Sequence, residues 1–464
     1  MLRSFFAQHP KHVVLPQRGQ KSPRPHLIKR HFLVSSFSSL VFLLILTSCS
    51  DFISPVKSTP EPTEYSFNYW LLQNLYLYEE ELPNLPEDGD SVQILYNTLK
   101  DPYTNYTPPA KSEDAITSST TSIIAGDIGM RYQTDTNLEH PVIISRVYPQ
   151  GPAGRAGVPR YGVIISANDI ELTGNRAKST YDSIVNHSKK VDIRVASKGD
   201  TSLYQLTKED VYAPTVFVDT LYEDKANGYP GIVFVSIERF KLVTADKKHG
   251  TYGELKAYLD STTSDKRVRI LDLRNNPGGH IVQCISMADL FVKEGNLSTR
   301  KARSLRADGS SAHVTVTEKA KAGDVGETGK YLLYANRGSA SCSEIFIAAI
   351  TETTDIPLAG GKTYGKGIGQ SMFSTYAGGL ANITDIQFLT PKGNSYNGIG
   401  IIPQYTCDDD IIDNYCAAKI ASKIYNVKIP KQKQNALAKR HFEQIEDTTN
   451  LEIKGEAVEW GVIP

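Results

Sequence analysis

With 464 residues, the chain is longer than one ordinary domain and long enough for two or three, each with its own core. Lysine plus arginine and aspartate plus glutamate number 51 each, so the formal charge is zero and no strongly basic or acidic surface argues for nucleic acid as a partner. Recognition has to be local, carried by particular segments.

The first such segment is an address. Lys29 and Arg30 precede an apolar run from Phe32 to Leu46, followed by Thr47, Ser48 and Cys49. Basic residues, a short apolar stretch and then small residues have the order of an export signal, and the run is too short and too rich in serine for a spanning helix. Leu46-Thr47-Ser48-Cys49 resembles a bacterial lipobox. That resemblance implies that residues 1–48 are a lipoprotein signal peptide and that Cys49 carries the lipid anchor. An uncleaved anchor helix is the competing reading. Both place the protein in the cell envelope, periplasmic or at the outer membrane, and the long segment before the apolar run leaves the true start codon open.

An exported chain permits disulfides among Cys284, Cys342, Cys407 and Cys416; the nearby pair Cys407 and Cys416 would reach each other, but spacing alone leaves connectivity open. No spacing resembles a zinc site, and no cofactor is expected. Asp408-Asp409-Asp410 reads as a solvated turn or helix start rather than a calcium loop.

Residues 49–64 form a polar, proline-rich tether with too little apolar content to pack. In residues 65–115, Trp70, Leu71, Leu75 and Leu77 fit an amphipathic helix, and VQILYNTLKDPYTNYTPP fits another ended by prolines. This stretch reads as a small helical N-terminal domain.

Residues 116–212 turn to short β-rich runs, PVIISRVY, YGVIISANDIEL and VDIRVAS, separated by glycine, proline and asparagine. Between the first two, Gly151, Pro152, Ala153, Ala156 and Gly157 resemble the helix start of PDZ domains, with Val163 standing where that family usually has aspartate. The resemblance implies capture of a peptide as an added β-strand, its C-terminal carboxylate seated on backbone amides. Gly126, Asp127, Ile128 and Gly129 are the candidate carboxylate loop, the glycines giving close access to the backbone. Glycines that merely turn a hairpin are the plainer alternative.

From residue 213 to 428 the pattern alternates: buried-type β runs YPGIVFVSIERF and VRILDLRNNPGGH, with GTYGELKAYLDSTT and IVQCISMADLFVKEG as helices, which argues for an α/β core with parallel strands. Three pieces of this half carry chemistry. LDLRNNPGGH ends a strand in a Gly-Gly turn before a helix, where a backbone N–H would face a ligand. YANRGSASCSEIFIAAI sets Ser339, Ser341 and Ser343 at alternate positions before an apolar helical run. A helix cap explains one of these serines, and Glu344 suits the positive end of the helix dipole. A cap does not explain the small-residue approach, which leaves the backbone open to something that comes close, so a nucleophile is the sharper reading. In KTYGKGIGQS, glycine alternates with Lys366, Ile368 and Gln370; an extended segment follows, with Lys366 and Gln370 on one face and the glycine face open to another backbone. A lone lysine there is ordinarily a solvated charge; packed against a serine-bearing helix start it becomes a candidate base.

LDLRNNPGG, SASCSE and GKGIGQ, in that order, resemble the C-terminal processing peptidases, or tail-specific proteases, a family of serine peptidases. The resemblance extends over most of residues 229–404, includes FLTPKGNSYNGIGIIP, and has the PDZ-like region in its usual place. It implies a ClpP/crotonase-like αβ protease core. Ser341 takes the position of the family's nucleophile and Lys366, 25 residues later, that of its base. Gln370 matches the residue that orients the lysine, and the backbone amides of Gly279 and Cys342 would form the oxyanion hole. Cys342 stands where the family commonly has alanine, a departure expected to matter little because only its N–H is used. Lys366 must be neutral to take the serine proton, which burial in an apolar site favours. The expected partners are unfolded or C-terminal peptide segments of exported proteins, and the membrane through the lipid anchor. The tail, 429–464, is uninformative beyond a general similarity to exported Bacteroidetes relatives.

Two rivals stay open. Asp272 and His280 flank the Gly-Gly turn and would make a Ser-His-Asp set with Ser341, although nothing fixes the imidazole; His280 reads instead as a rim residue near the substrate channel, and Arg274 and Asn275 as braces of the turn. Related folds also occur in retinoid-binding repeats, so a ligand- or peptide-binding protein is the alternative to an enzyme. The intact set of Ser341, Lys366 and Gln370 argues against it.

Overall fold

The computed structural model describes residues 63–84, 89, 91–306, 309–407, 414–430 and 458–460. The signal segment with Cys49, most of the tether, Asp408-Asp409-Asp410 and most of the tail lie outside the described residues. Among the described residues no helix is long and apolar enough to cross a membrane.

Helix α1 (Glu64–Leu75) starts where Thr63 and Ser66 exchange backbone-to-side-chain hydrogen bonds in a capping box. Helix α2 (Val92–Asn97), strand β1 (Asn105–Thr107) and helix α3 (Pro109–Thr120) follow. This lead-in does not stand as a separate domain, contrary to the sequence reading. Tyr65, Leu71, Leu72 and Leu75 share one core cluster with Phe373, Ala381 and Ile383, and β1 pairs with residues 380–382. Two short helices bury too little apolar surface by themselves and borrow a sheet from the second half.

The β-rich region begins with β2 (Ile123–Asp127), β3 (Met130–Thr134) and β4 (Val142–Val147), then the short helix α4 (Pro152–Arg155). It continues through β5 (Val163–Ala167), β6 (Ile170–Glu171), helix α5 (Ala177–His187), β7 (Lys190–Ser197), β8 (Asp200–Thr207) and β9 (Glu209–Tyr212). The sheet runs β3-β4-β5-β7-β8, all antiparallel, with β6 on β5, while β2 pairs only with β9. Ile128, Val142, Ile144, Ile164, Val191 and Ile193 form its core. Edge strand β3 is flanked by α5, the rings of Tyr132 and Tyr181 meeting edge-to-face at 4.9 Å.

The second half supplies β10 (Val216–Asp224), β11 (Tyr229–Ile237), α6 (Gly250–Ser261), β12 (Arg269–Asp272), α7 (Ile281–Asp289), β13 (Asn296–Leu305), β14 (Ser311–Lys319), β15 (Tyr331–Ala335) and α8 (Cys342–Thr353). After these come β16 (Leu358–Gly360), β17 (Ile368–Ser374), β18 (Leu380–Leu389), β19 (Tyr405–Thr406), α9 (Asn414–Tyr425) and β20 (Val458–Trp460). One sheet runs β10-β11-β12-β15-β16-β19, parallel from β11 onward. Its central strands β11, β12 and β15 are mostly apolar and buried because both faces are covered. Val233, Val235, Leu271 and Leu333 pack toward Leu255, Met287 and Phe346 on α6, α7 and α8, whereas Ile232, Phe234, Ile270 and Leu332 meet Ala417, Ala418 and Ala421 on α9. A second sheet, β14-β13-β18-β17-β20 with β1 on β18, packs beside the first through Ile386 and Phe388. The loops after the adjacent strands β12 and β15 lead into α7 and α8 at the carboxyl edge of the parallel sheet, where α/β folds place their ligands.

Candidate active site

The serine triplet divides its work. Ser339 Oγ donates to Leu273 O at 2.8 Å and Ser343 Oγ donates to Asn276 O at 2.8 Å, so both outer serines tie the α8 turn to the loop after β12. The Ala340 amide makes a third such bond, to Asn276 O at 3.0 Å. Ser341, between them, is fully buried, and its hydroxyl has no hydrogen-bond partner among the described residues. Its backbone sits at φ 54°, ψ −116°, a left-handed conformation that costs a non-glycine residue about 1–3 kcal/mol. A strained serine at a helix N-terminus, held by its neighbours and free at Oγ, has the form of a nucleophile turn.

Glu344, read from sequence only as a helix-start charge, is the hub. One carboxylate oxygen, Oε2, accepts from the Ser341 amide at 2.9 Å and from the Lys366 amide at 2.8 Å. The other, Oε1, accepts from the Gly365 amide at 2.7 Å and from Thr363 Oγ1 at 2.6 Å. The serine turn and the lysine segment are therefore fastened to one buried carboxylate. Burial raises its pKa, and these four donors offset only part of that rise.

Lys366 is 1% exposed, and its Nζ donates to Gln370 Oε1 at 3.0 Å. Gln370 is fixed in turn by donating from Nε2 to Thr384 Oγ1 at 3.0 Å. The pairing slips by one residue between Gly369 and Gln370, which brings Gln370 opposite Thr384. The segment is a strand only from Ile368 onward, with Gly365 at φ 92° before it, yet the alternating glycines give the close backbone approach that the sequence reading expected. A Cβ on Gly365 would lie 2.7 Å from Gly400 N, one on Gly367 2.9 Å from Asn397 N, and one on Gly369 2.7 Å from the Phe388 ring. Side chains there would push the lysine segment off its neighbours. Beside it opens a cleft of about 510 Å³ lined by Lys100, Tyr103, Arg337, Tyr364, Gly365 and Ile368.

Opposite Ser341 lies the Gly-Gly turn. Gly278, at φ 111°, approaches so closely that a Cβ there would sit 2.9 Å from Ser341 Cβ and 3.0 Å from Cys342 N. Gly279, at φ 140°, crosses Phe240: Phe240 N donates to Gly278 O and His280 N to Phe240 O, so this bridge does not use the Gly279 N–H. Cys342 is the first residue of α8, where backbone amides lack helical partners.

Three sequence expectations need correction here. His280 is not a rim residue; it is 3% exposed, at the N-cap of α7. Asp272 is not poised for an imidazole, because the Arg274 guanidinium grips both its oxygens at 2.9 and 2.6 Å while also donating to Asn414. Cys342 is more than a neutral departure: it is disulfide-bonded to Cys284 on α7, with Cα atoms 5.6 Å apart, stapling the two helices that lead out of the site. The pair Cys407 and Cys416 is bridged as well. Asn275 exchanges hydrogen bonds with Asn336 and so joins the loop after β12 to the loop after β15.

The 126–129 loop lies far along the chain and is wired differently. The Gly126 amide donates to Asp210 Oδ1 and the Gly129 amide to Asp127 Oδ1, while Ile128 is buried with its carbonyl taken by the Ala153 amide. Lys208 and Arg131 stand near enough to lower the Asp127 pKa against the dominant upward push of burial.

The parallel α/β core and the buried serine turn are those of a serine-type peptidase, and comparison with known proteins agrees. Residues 231–407 match the model of Peptidase family S41, a range that contains Gly279, Ser341, Glu344, Lys366 and Gln370. The chain is 25% identical over 438 residues to a probable CtpA-like serine protease of Staphylococcus aureus, covering 91% of this chain and 82% of that one. A probable CtpA-like serine protease of Staphylococcus saprophyticus is 26% identical over 369 residues, 77% of this chain and 68% of that one. In fold, the chain is similar to a putative S41 protease from Bacteroides fragilis, with a TM-score of 0.51 at 13% identity, covering 84% of this chain and 98% of that one. The protein is thus a serine-type peptidase, with residues 231–407 similar to Peptidase family S41.

Proposed function

We propose that the chain is an endopeptidase of the tail-processing type, acting through Ser341 and Lys366. The observation that carries this is the buried path from Ser341 to Glu344 to Lys366, with the lysine amine held by Gln370. A neutral amine donates one N–H to Gln370 and keeps its lone pair for the serine proton. Ser341 Oγ then attacks the peptide carbonyl carbon, and the oxyanion meets the amides of Gly279 and Cys342 at the positive end of α8. The Lys366 ammonium returns the proton to the leaving amine as the C–N bond breaks. A water, deprotonated by the same lysine, hydrolyses the acyl-enzyme.

Capture of substrate tails by the β-rich region is part of this reading. Edge strand β3 follows the 126–129 loop directly and leaves one side for an added strand, as PDZ-type recognition requires. Export and lipidation at Cys49 would place this activity in the cell envelope, periplasmic or at the outer membrane, on exported proteins with unstructured C-termini.

Cleavage of an unfolded test protein by the full-length chain, compared with Ser341→Ala and Lys366→Ala, tests the proposal. Loss of activity in both is expected. Activity surviving in Lys366→Ala would remove the lysine from the role of base, and no activity in any form, with tails still bound, would favour the binding-protein reading.

A further inference from the structure

The lead-in segment reaches the base. Lys366 Nζ lies 4.4 Å from the centroid of the ring of Tyr103, which stands between α2 and β1 in the stretch DPYTNYT. Tyr103 is firmly held: its amide donates to Asp101 Oδ1 at 3.0 Å, and its carbonyl accepts from Asn382 Nδ2 at 3.0 Å. Thr104 Oγ1 donates to the other Asp101 oxygen at 2.6 Å and accepts from the Thr384 amide at 2.9 Å. The Leu77 amide closes the set by donating to Thr384 O at 2.8 Å. Both backbone groups of Thr384, the residue whose hydroxyl holds Gln370, are thus taken by the lead-in.

Building on the Ser-Lys reading above, we propose that Tyr103 is a positioning residue for Lys366: its ring lids the amine, keeps water from it, and faces the ammonium that forms when the serine proton is transferred. The ring face carries partial negative charge, so it attracts the ammonium formed in the reaction. A ring attracts an ammonium far less than bulk water does, so the free enzyme keeps the amine poised to lose its proton. The ionisable groups packed about the lysine are Glu344 at its backbone, Tyr103 over its amine, Tyr364 with its hydroxyl 3.4 Å from that of Tyr103, and Asp101 behind the ring. Burial, first among several causes, drives the Tyr103 hydroxyl pKa upward, so the ring stays a neutral phenol. The lead-in then completes the active site as well as the fold.

The test is the pH profile of kcat/KM for the full-length chain and its Tyr103→Ala, Tyr103→Phe and Lys366→Ala variants on one unfolded substrate. Opening the lid hydrates the ammonium, so in Tyr103→Ala the rising limb should move to higher pH by about one unit, with about a tenfold loss at neutral pH. Tyr103→Phe, which keeps the ring, should restore the limb. A Tyr103→Ala limb at the wild-type midpoint, whatever its height, would overturn the proposal, as would a Tyr103→Phe limb displaced as far as that of alanine. If Tyr103→Ala does not fold, Tyr103→Gln, which brings polar atoms to the amine, reads the same shift with the same two outcomes. Activity remaining in Lys366→Ala would instead show that the Ser-Lys reading had failed.

Discussion

Two glycine turns were read from sequence as amide cradles for negative charge, and the fold builds them in opposite ways. At Gly278 and Gly279 the chain crosses Phe240 and presses against Ser341 without spending the Gly279 amide on the bridge. At Gly126 and Gly129 the amides already have carboxylates of the chain itself, Asp210 and Asp127. Glycine gives the backbone room; whether an amide stays open depends on the acceptors nearby, Asn276 Oδ1 taking the Gly278 amide just as carboxylates take those of the second turn. The Phe240 bridge leaves the Gly279 amide unused, whereas both glycine amides of the second turn are occupied at rest.

That contrast can be attacked in order of effect. Gly279→Ala should be the most damaging: its φ of 140° disfavours a side chain, and the new Cβ would fall 2.1 Å from Phe240 O. Displacing this amide should lower kcat/KM by about 100-fold or more, as loss of an oxyanion donor does, and steady-state cleavage would read it. An activity within a few fold of wild type would mean that the turn is not the oxyanion site.

Glu344→Gln comes next. A carboxamide offers one acceptor oxygen where the carboxylate offers two to three backbone amides and a hydroxyl, so at least one buried donor is stranded. Urea unfolding should show a loss of about 2 kcal/mol. No loss would mean that the hub contributes little to holding the two halves of the site together.

The two disulfides should then differ. Cys284 and Cys342 are 58 residues apart and Cys407 and Cys416 only 9, so chain-entropy reasoning makes loss of the first bridge costlier by ~1.6 kcal/mol. Paired alanine variants compared by chemical denaturation would reveal an inverted order if helix packing, not loop closure, dominates.

The smallest effect should be at the second turn. Asp127→Asn keeps an acceptor for the Gly129 amide but removes a charge that opposes an incoming carboxylate. Binding of free-tailed peptides should strengthen about threefold, by roughly 0.7 kcal/mol, with amidated peptides unchanged. Equal gains for both would show that the loop does not read the carboxylate.

The sequence was most legible where spacing controls geometry. Alternating glycines around Lys366 pointed to a backbone approached closely on one side, and the structure sets those glycines against Asn397, Gly400 and Phe388 with Lys366 within hydrogen-bonding distance of Gln370. The alternation of buried runs and helices likewise foretold the parallel sheet, because strands covered on both faces need no polar side. Contacts between distant segments were illegible. Glu344 looked like a dipole complement because its partners, Thr363, Gly365 and Lys366, lie about 20 residues downstream in a stretch with no charge pattern pointing back. Tyr103 is more than 260 residues from Lys366, and nothing in DPYTNYT marks a ring destined for an amine. The lead-in was mistaken for a domain because short amphipathic helices look alike whether they pack on themselves or on a distant sheet.

The central claim is that Ser341 is the nucleophile and Lys366 its base. It is tested most directly by treating the full-length chain with a serine-reactive fluorophosphonate at neutral pH and mapping the adduct by peptide mass spectrometry. The account predicts one adduct, on Ser341, strongly diminished in Lys366→Ala. An adduct on another residue, or undiminished labelling of Ser341 without the lysine, would contradict it.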